Sequence, residues 1–186
     1  GAVKYKNSQG ETFIEFVGNT KDFTTSRAGI YHGIMNKSSE SDQYTITANI
    51  IGMDTLDFGY PNIAYVNNGQ GCYEGSFIAF NHTSATTFAG VSGIRHSNAD
   101  GYSNIIRLKE GDGMVQVSVG TNQRWGDYFG IQSIPNNPSE IWTAGFYGTN
   151  NNRTSTWFNK VSVSDPTFLE VDIAREFNPN FVSSVK

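Results

Sequence analysis

The densest group of side chains able to meet a ligand is the run Arg124, Trp125, Asp127 and Tyr128. An indole and a phenol stack on the flat face of a sugar ring, while guanidinium and carboxylate groups bond its hydroxyls. Trp142 and Trp157 follow within the next thirty or so residues and extend the same chemistry. These six residues are the candidate binding set. The same run also has a purely structural reading. Asp127 would cap a turn, Arg124 would pair with it, and Trp125 would pack between layers. Asp57, in Asp57-Phe58-Gly59, stands in the equivalent place of an earlier, similar segment. A residue that recurs in each unit of a repeat usually serves the repeat.

Catalytic groups are harder to find. Cys72 is the sole cysteine. No disulfide can form within the chain, and a nucleophilic thiol would need a base and an activating environment that its neighbours do not supply. His32, His82 and His96 lie near strand ends and show no metal-binding spacing such as HxxxH. Asp112, in Glu110-Gly111-Asp112-Gly113, reads as a tight hairpin turn, since a calcium loop needs more oxygen donors in short order. Asn150-Asn151-Asn152-Arg153 reads as a polar loop. The expectation is no catalytic residue, no metal site and no cofactor, with a structural calcium the one ion left open.

Composition narrows the function classes. The formal net charge is −4, so the basic excess of a nucleic-acid surface is missing. No run approaches the roughly 20 consecutive apolar residues of a membrane-spanning helix. Charged residues are 16% of the chain, while Gly numbers 20 and Phe, Tyr and Trp number 13, 9 and 3. Turn formers combined with aromatics suit short strands joined by many turns.

The elements that must position these residues are strands. Short apolar or alternating runs occupy 12–17, 28–35, 44–51, 63–66, 77–81, 90–95, 105–109, 115–119, 128–134, 141–147 and 155–163. Helical periodicity is confined to 168–177, which also suits a strand. This spacing predicts an all-β sandwich, barrel or propeller.

Internal repeats choose among them. Phe13-Ile14-Glu15-Phe16 recurs as Phe77-Ile78-Ala79-Phe80, Ala28-Gly29-Ile30 as Ala89-Gly90-Val91, and Asn49-Ile50-Ile51 as Asn104-Ile105-Ile106. Asp57-Phe58-Gly59-Tyr60 resembles Asp127-Tyr128-Phe129-Gly130. The repeat of about 60 to 70 residues is the size of four strands with their loops, a generous propeller blade. The predicted fold is about three four-stranded antiparallel blades of an incomplete β-propeller ring. The units are 1–54, entered part-way through a blade, then 55–124 and 125–165, with 166–186 a terminal strand or tail. Further blades or partner chains would complete the ring.

Arg124-Trp125-Gly126-Asp127-Tyr128-Phe129-Gly130-Ile131, with Ile141-Trp142-Thr143-Ala144-Gly145-Phe146-Tyr147 and Ser155-Thr156-Trp157 downstream, resembles sialidase-like, BNR-type propeller proteins of bacteria. Ser97-Asn98-Ala99-Asp100-Gly101-Tyr102-Ser103-Asn104 is similar to the Asp-box turn of that family, with its Asp displaced by one and its Trp replaced by Asn104. The resemblance covers roughly 12–163. It implies a secreted or cell-surface protein of the Bacteroidota type, with a glycan or protein as ligand. It also opens an alternative, a sialidase-type glycoside hydrolase or a fragment of one. That chemistry needs three arginines clamping a carboxylate, a Tyr–Glu nucleophile pair and an Asp acid. The chain has Arg27, Arg95, Arg107, Arg124, Arg153 and Arg175 to draw on, but their arrangement is not readable from sequence.

Overall fold

The structure is a computed structural model that describes residues 1–40, 43–67, 69, 74–120, 123, 125–162 and, as backbone, 182–184. All regular elements among these residues are strands, in three antiparallel sheets. The first sheet has β1 (Ala2–Lys6), β2 (Thr12–Lys21), β3 (Ala28–Lys37) and β4 (Tyr44–Ile51) side by side. The second has β5 (Asp57–Asn67), β6 (Glu74–Thr83) and β7 (Gly90–Ser97), with β8 (Gly101–Tyr102) and β9 (Ile106–Lys109) both paired to β7. The third has β10 (Gly130–Ile134), β11 (Asn137–Gly148) and β12 (Thr154–Ser162). A short strand, β13 (Val182–Ser184), adds to the free edge of β4.

The three sheets stack face to face, and the strand sequences show why. A strand that packs on one side alternates apolar and polar residues, whereas one covered on both sides cannot. β2 alternates, with Phe13, Glu15 and Val17 buried and their neighbours half-buried. β6 and β7 do not alternate: Gly75 to His82 and every residue of β7 are buried. The second sheet is therefore the filling of the stack. Its Phe58, Ile63, Ile78, Phe80 and Ile94 meet Val17, Ile30 and Ile51 of the first sheet. Its opposite face, with Ala64, Val66, Phe77, Ala79 and Val91, meets Phe129, Ile141 and Val161 of the third.

The segments that echo one another in sequence occupy matching places. Phe13–Phe16 lies in the second strand of its sheet, and so does Phe77–Phe80. Phe13 and Phe77 each point toward the following sheet, while Ile78 and Phe80 point back to the preceding one. Ala28-Gly29-Ile30 and Ala89-Gly90-Val91 both run into third strands, and Asn49–Ile51 and Asn104–Ile106 reach β4 and β9. The first sheet draws four strands from residues 2–51, so it is not short of a strand as the sequence suggested.

The strand expected at 115–119 is absent. Gln116 N–H donates to Asn152 O in the β11–β12 turn and Ser118 N–H to the Gln123 side chain, so neither amide is offered to a ladder. The segment 168–177 lies outside the described residues.

The outer faces of the stack are also apolar. Cross-strand pairing puts Ile14, Met35 and Ile46 in one row on the far side of the first sheet. Trp142, Ala144 and Phe158 share the far side of the third, where Phe158 is 68% exposed.

Phe80 is fully buried at the first interface, its ring 4.7 Å from that of Phe58. Phe80→Ala is expected to cost about 3–5 kcal/mol. Urea unfolding followed by tryptophan fluorescence will show this as a lower midpoint.

Candidate functional site

One end of the stack is built around Tyr60, Pro61 and Asn62. The β5–β6 register slips between Gly59 and Asn62, forming a bulge. Pro61 has no N–H to give to a ladder, and bulges are where strands tolerate that. Tyr60 takes a left-handed conformation, φ 55°. It is held there from the first sheet, since the Asn19 side-chain oxygen accepts its N–H at 2.8 Å. On the other side, Asn62 Nδ2 donates to Phe129 O at the threshold of the third sheet, 2.8 Å. The bulge thus bonds to both neighbouring sheets.

Two hollows flank the Tyr60 ring. One, of about 380 Å³, is lined by Gly1, Asn19, Tyr60, Asn62, Asp127 and Tyr128. Asp127 is exposed, and Tyr128 is 82% exposed above it. The other, of about 170 Å³ and mostly apolar, is lined by Ala28, Phe58, Tyr60, Asn81, His82 and Trp125. Trp125 meets Tyr60 edge to face, with ring centroids 6.4 Å apart. Gly126 between them has φ 76°, and a Cβ there would come within 2.9 Å of the Tyr60 ring. The glycine is therefore needed both for its backbone angle and for the close approach.

The structure accordingly brings Trp125, Asp127 and Tyr128 together about Tyr60, a residue the sequence reading did not select. Trp142 is elsewhere, on the outer face of the third sheet. Trp157 is in a different cluster: it meets Tyr147 edge to face at 6.3 Å, and Lys109 Nζ stands 4.6 Å from the Tyr147 ring and 5.7 Å from the Trp157 ring. Beside it an open groove of about 500 Å³ runs past Asp112, Asn150 and Arg153. Asp112 accepts from Lys109 Nζ at 2.7 Å. Arg124 lies outside the described residues, as do Cys72 and Arg175. Asp57, the counterpart of Asp127, works as a strut: its carboxylate takes Arg27 Nη1 at 2.9 Å and the Ala28 N–H at 3.0 Å, tying the second sheet to the first. The Asp-box-like segment forms the β7–β8 turn, stapled by Ser97 Oγ to Asp100 Oδ2 at 3.1 Å.

A second cluster, invisible in local spacing, sits between the first two sheets. Glu15 of β2 is fully buried. Tyr5 O–H donates to its Oε1 at 2.6 Å, and Ser76 O–H to its Oε2 at 2.5 Å. His32 Nε2 lies 3.0 Å and His96 Nδ1 3.5 Å from the same Oε2. The Tyr102 hydroxyl is 2.6 Å from His32 Nδ1. Burial alone would raise the Glu15 pKa, yet hydrogen bonds from His32 and His96 hold it well below the usual carboxylate range. Burial pushes His32 the other way, below the ordinary histidine value, and outweighs the pull of Glu15. Sequence reading missed Glu15 altogether. The available signal was the repeat itself, because Glu15 stands where the second unit has Ala79.

His82 is also fully buried, beneath the apolar hollow. Ser92 Oγ is 2.8 Å from its Nδ1, and the Glu110 carboxylate is 3.5 Å from its Nε2. Serine, histidine and glutamate in one line are the parts of an acyl-transfer relay, but Ser92 is itself fully buried and cannot meet a substrate. The arrangement is a packing network.

No family model, curated protein or solved structure matches the chain.

The burial of His82 sets a pH dependence. Desolvation lowers its pKa against the opposing pull of Glu110, with Arg107 reinforcing the drop. The unfolded chain therefore takes up a proton near pH 6.5 while the folded chain does not, and stability present above that pH is lost as the pH falls through it. His82→Asn removes this contribution. Urea midpoints at pH 7.5 and 5.5 are expected to differ less for the variant than for the parent, with the His32 contribution remaining in both.

Proposed function

We propose that the chain is a β-propeller module of a secreted or cell-surface protein, and that it binds a glycan or protein ligand at the Tyr60 rim without catalysis of its own. The observation that carries this reading is the convergence of Tyr60, Trp125, Tyr128 and Asp127 on two adjoining hollows. Aromatic faces beside a carboxylate are the chemistry of sugar binding, in which rings cover the apolar faces of a pyranose and oxygens take its hydroxyls.

The propeller arrangement draws support from the repeat. Each described interface joins a forward face to the backward face of the next sheet, and the two outermost faces carry the same kinds of apolar residue as the buried ones. Further sheets of this kind, from a longer chain or from partner chains, would cover Ile14, Met35 and Ile46 at one end and Trp142 and Phe158 at the other. Trp142 belongs to that packing role on this reading. The secreted or surface location rests on the resemblance to BNR-type propeller proteins.

A sialidase-type hydrolase is the alternative, and the arginines argue against it. Arg27 is committed to Asp57, Arg107 lies beside Glu110, Arg95 is buried on β7, and Arg153 lines the groove near Thr149. These four hold separate positions and do not form one clamp.

Screening against an array of glycans, followed by calorimetry on the best ligand, tests the reading. Tyr128→Ala is expected to weaken binding about tenfold, equivalent to roughly 1.4 kcal/mol. Trp142→Ala is expected to leave it unchanged. A fluorogenic sialoside assayed in parallel separates the alternative: turnover by the parent protein would overturn the non-catalytic reading, and binding indifferent to both Trp125→Ala and Tyr128→Ala would overturn the rim as the site.

A further inference from the structure

We propose that Glu15, His32 and His96 form a zinc site that clamps the first sheet to the second. The three ligand atoms, Glu15 Oε2, His32 Nε2 and His96 Nδ1, all lie within 4.8 Å of one another. With zinc–ligand bonds of about 2.0–2.2 Å, the edges of a tetrahedral site measure about 3.3 Å. The two edges from Oε2 are 3.0 and 3.5 Å, on either side of that value. The imidazole rings stand nearly perpendicular, 82° apart, with centroids 4.9 Å from each other, and each presents one ring nitrogen to the same carboxylate oxygen.

Chemistry selects the metal. Two imidazole nitrogens and one carboxylate oxygen suit zinc, whereas calcium and magnesium take oxygen donors. The outer partners of each ligand are also in place. Tyr102, itself held by Asn49, accepts the Nδ1–H of His32 once Nε2 turns to the metal, and Tyr5 O–H holds Oε1, leaving Oε2 as the oxygen that both imidazoles face. Such partners fix the tautomer and orientation of metal ligands. Ser76 O–H donates to the same Oε2 and holds it in place beside the imidazoles.

The repeat supplies an independent argument. At the second interface the position of Glu15 holds Ala79, fully buried in an apolar cluster. Stacking two of these sheets therefore does not require a carboxylate there. A buried carboxylate is costly unless it is compensated. The Tyr5 and Ser76 hydroxyls donate to it, and with both facing imidazoles neutral as metal ligands a divalent cation supplies the balancing positive charge.

The site is closed, so the metal is a structural one, taken up as the sheets meet. Purified protein is expected to carry about one equivalent of zinc by elemental analysis. Protein refolded with a chelator should melt about 5–10 °C lower than protein refolded with zinc, and calcium should not restore the difference. Cobalt should give the visible absorption of a tetrahedral site. His96→Gln and Glu15→Gln should each lose the metal and the zinc-dependent rise. The proposal is overturned if zinc leaves the melting temperature of refolded parent protein unmoved, or if bound zinc persists in both variants. Should the variants fail to fold, the zinc, calcium and chelator comparison on the parent protein still decides.

Discussion

The structure depends on one arrangement, a sheet with no solvent face. β6 and β7 are buried on both sides, so each of their side chains must find an apolar neighbour or a polar partner. Burial of apolar area supplies most of the stabilisation, about 25 cal/mol for each Å² removed from water. Packing of this kind favours small residues where a ring crosses a neighbouring strand. Gly93 faces Phe77 so closely that a Cβ there would come within 2.3 Å of the ring. The same close fit explains why the rim bulge holds its shape: Asn19 and Asn62 bond it to sheets whose spacing the core has already set.

The two interfaces differ in what lies among their apolar residues. Between the second and third sheets, Asn81 Nδ2 donates to Phe146 O at 2.6 Å and to Gly90 O at 2.9 Å, a neutral amide bridging backbone. Between the first and second, an ionised carboxylate takes hydroxyl donors from Tyr5 and Ser76 and faces two histidine nitrogens at 3.0 and 3.5 Å. Removing a partner from such a network costs more than removing an apolar contact of the same size, because it strands a buried charge.

The architecture was legible in sequence where the repeat imposed equal environments. Phe13–Phe16 and Phe77–Phe80 match because both fill second strands with one face toward the next sheet. The strand at 44–51 is read to the residue, since alternation and flanking turn residues mark it. β1 was missed because Ala2–Lys6 is short and lysine-rich, and its two inward residues, Val3 and Tyr5, are too few to show a period. The run 115–119 alternates like a strand but finds a turn and a glutamine in place of a ladder. Trp125, Asp127 and Tyr128 were legible as a group because they are contiguous. Tyr60 was not, because it enters that group across a sheet boundary. The Glu15 cluster was least legible of all: its members come from β1, β2, β3, β6, β7 and β8, and no local spacing links them. Only the exchange of Glu15 for Ala79 between otherwise matching units marks the place.

The double burial of the middle sheet can be tested directly by amide hydrogen exchange, read residue by residue. The slowest amides should fall in the centres of β6 and β7, exchanging only through global unfolding, with those of β2–β4 and β10–β12 faster. Slowest exchange in the first or third sheet, or uniform exchange across all three, would contradict a stack in which the second sheet is covered on both faces.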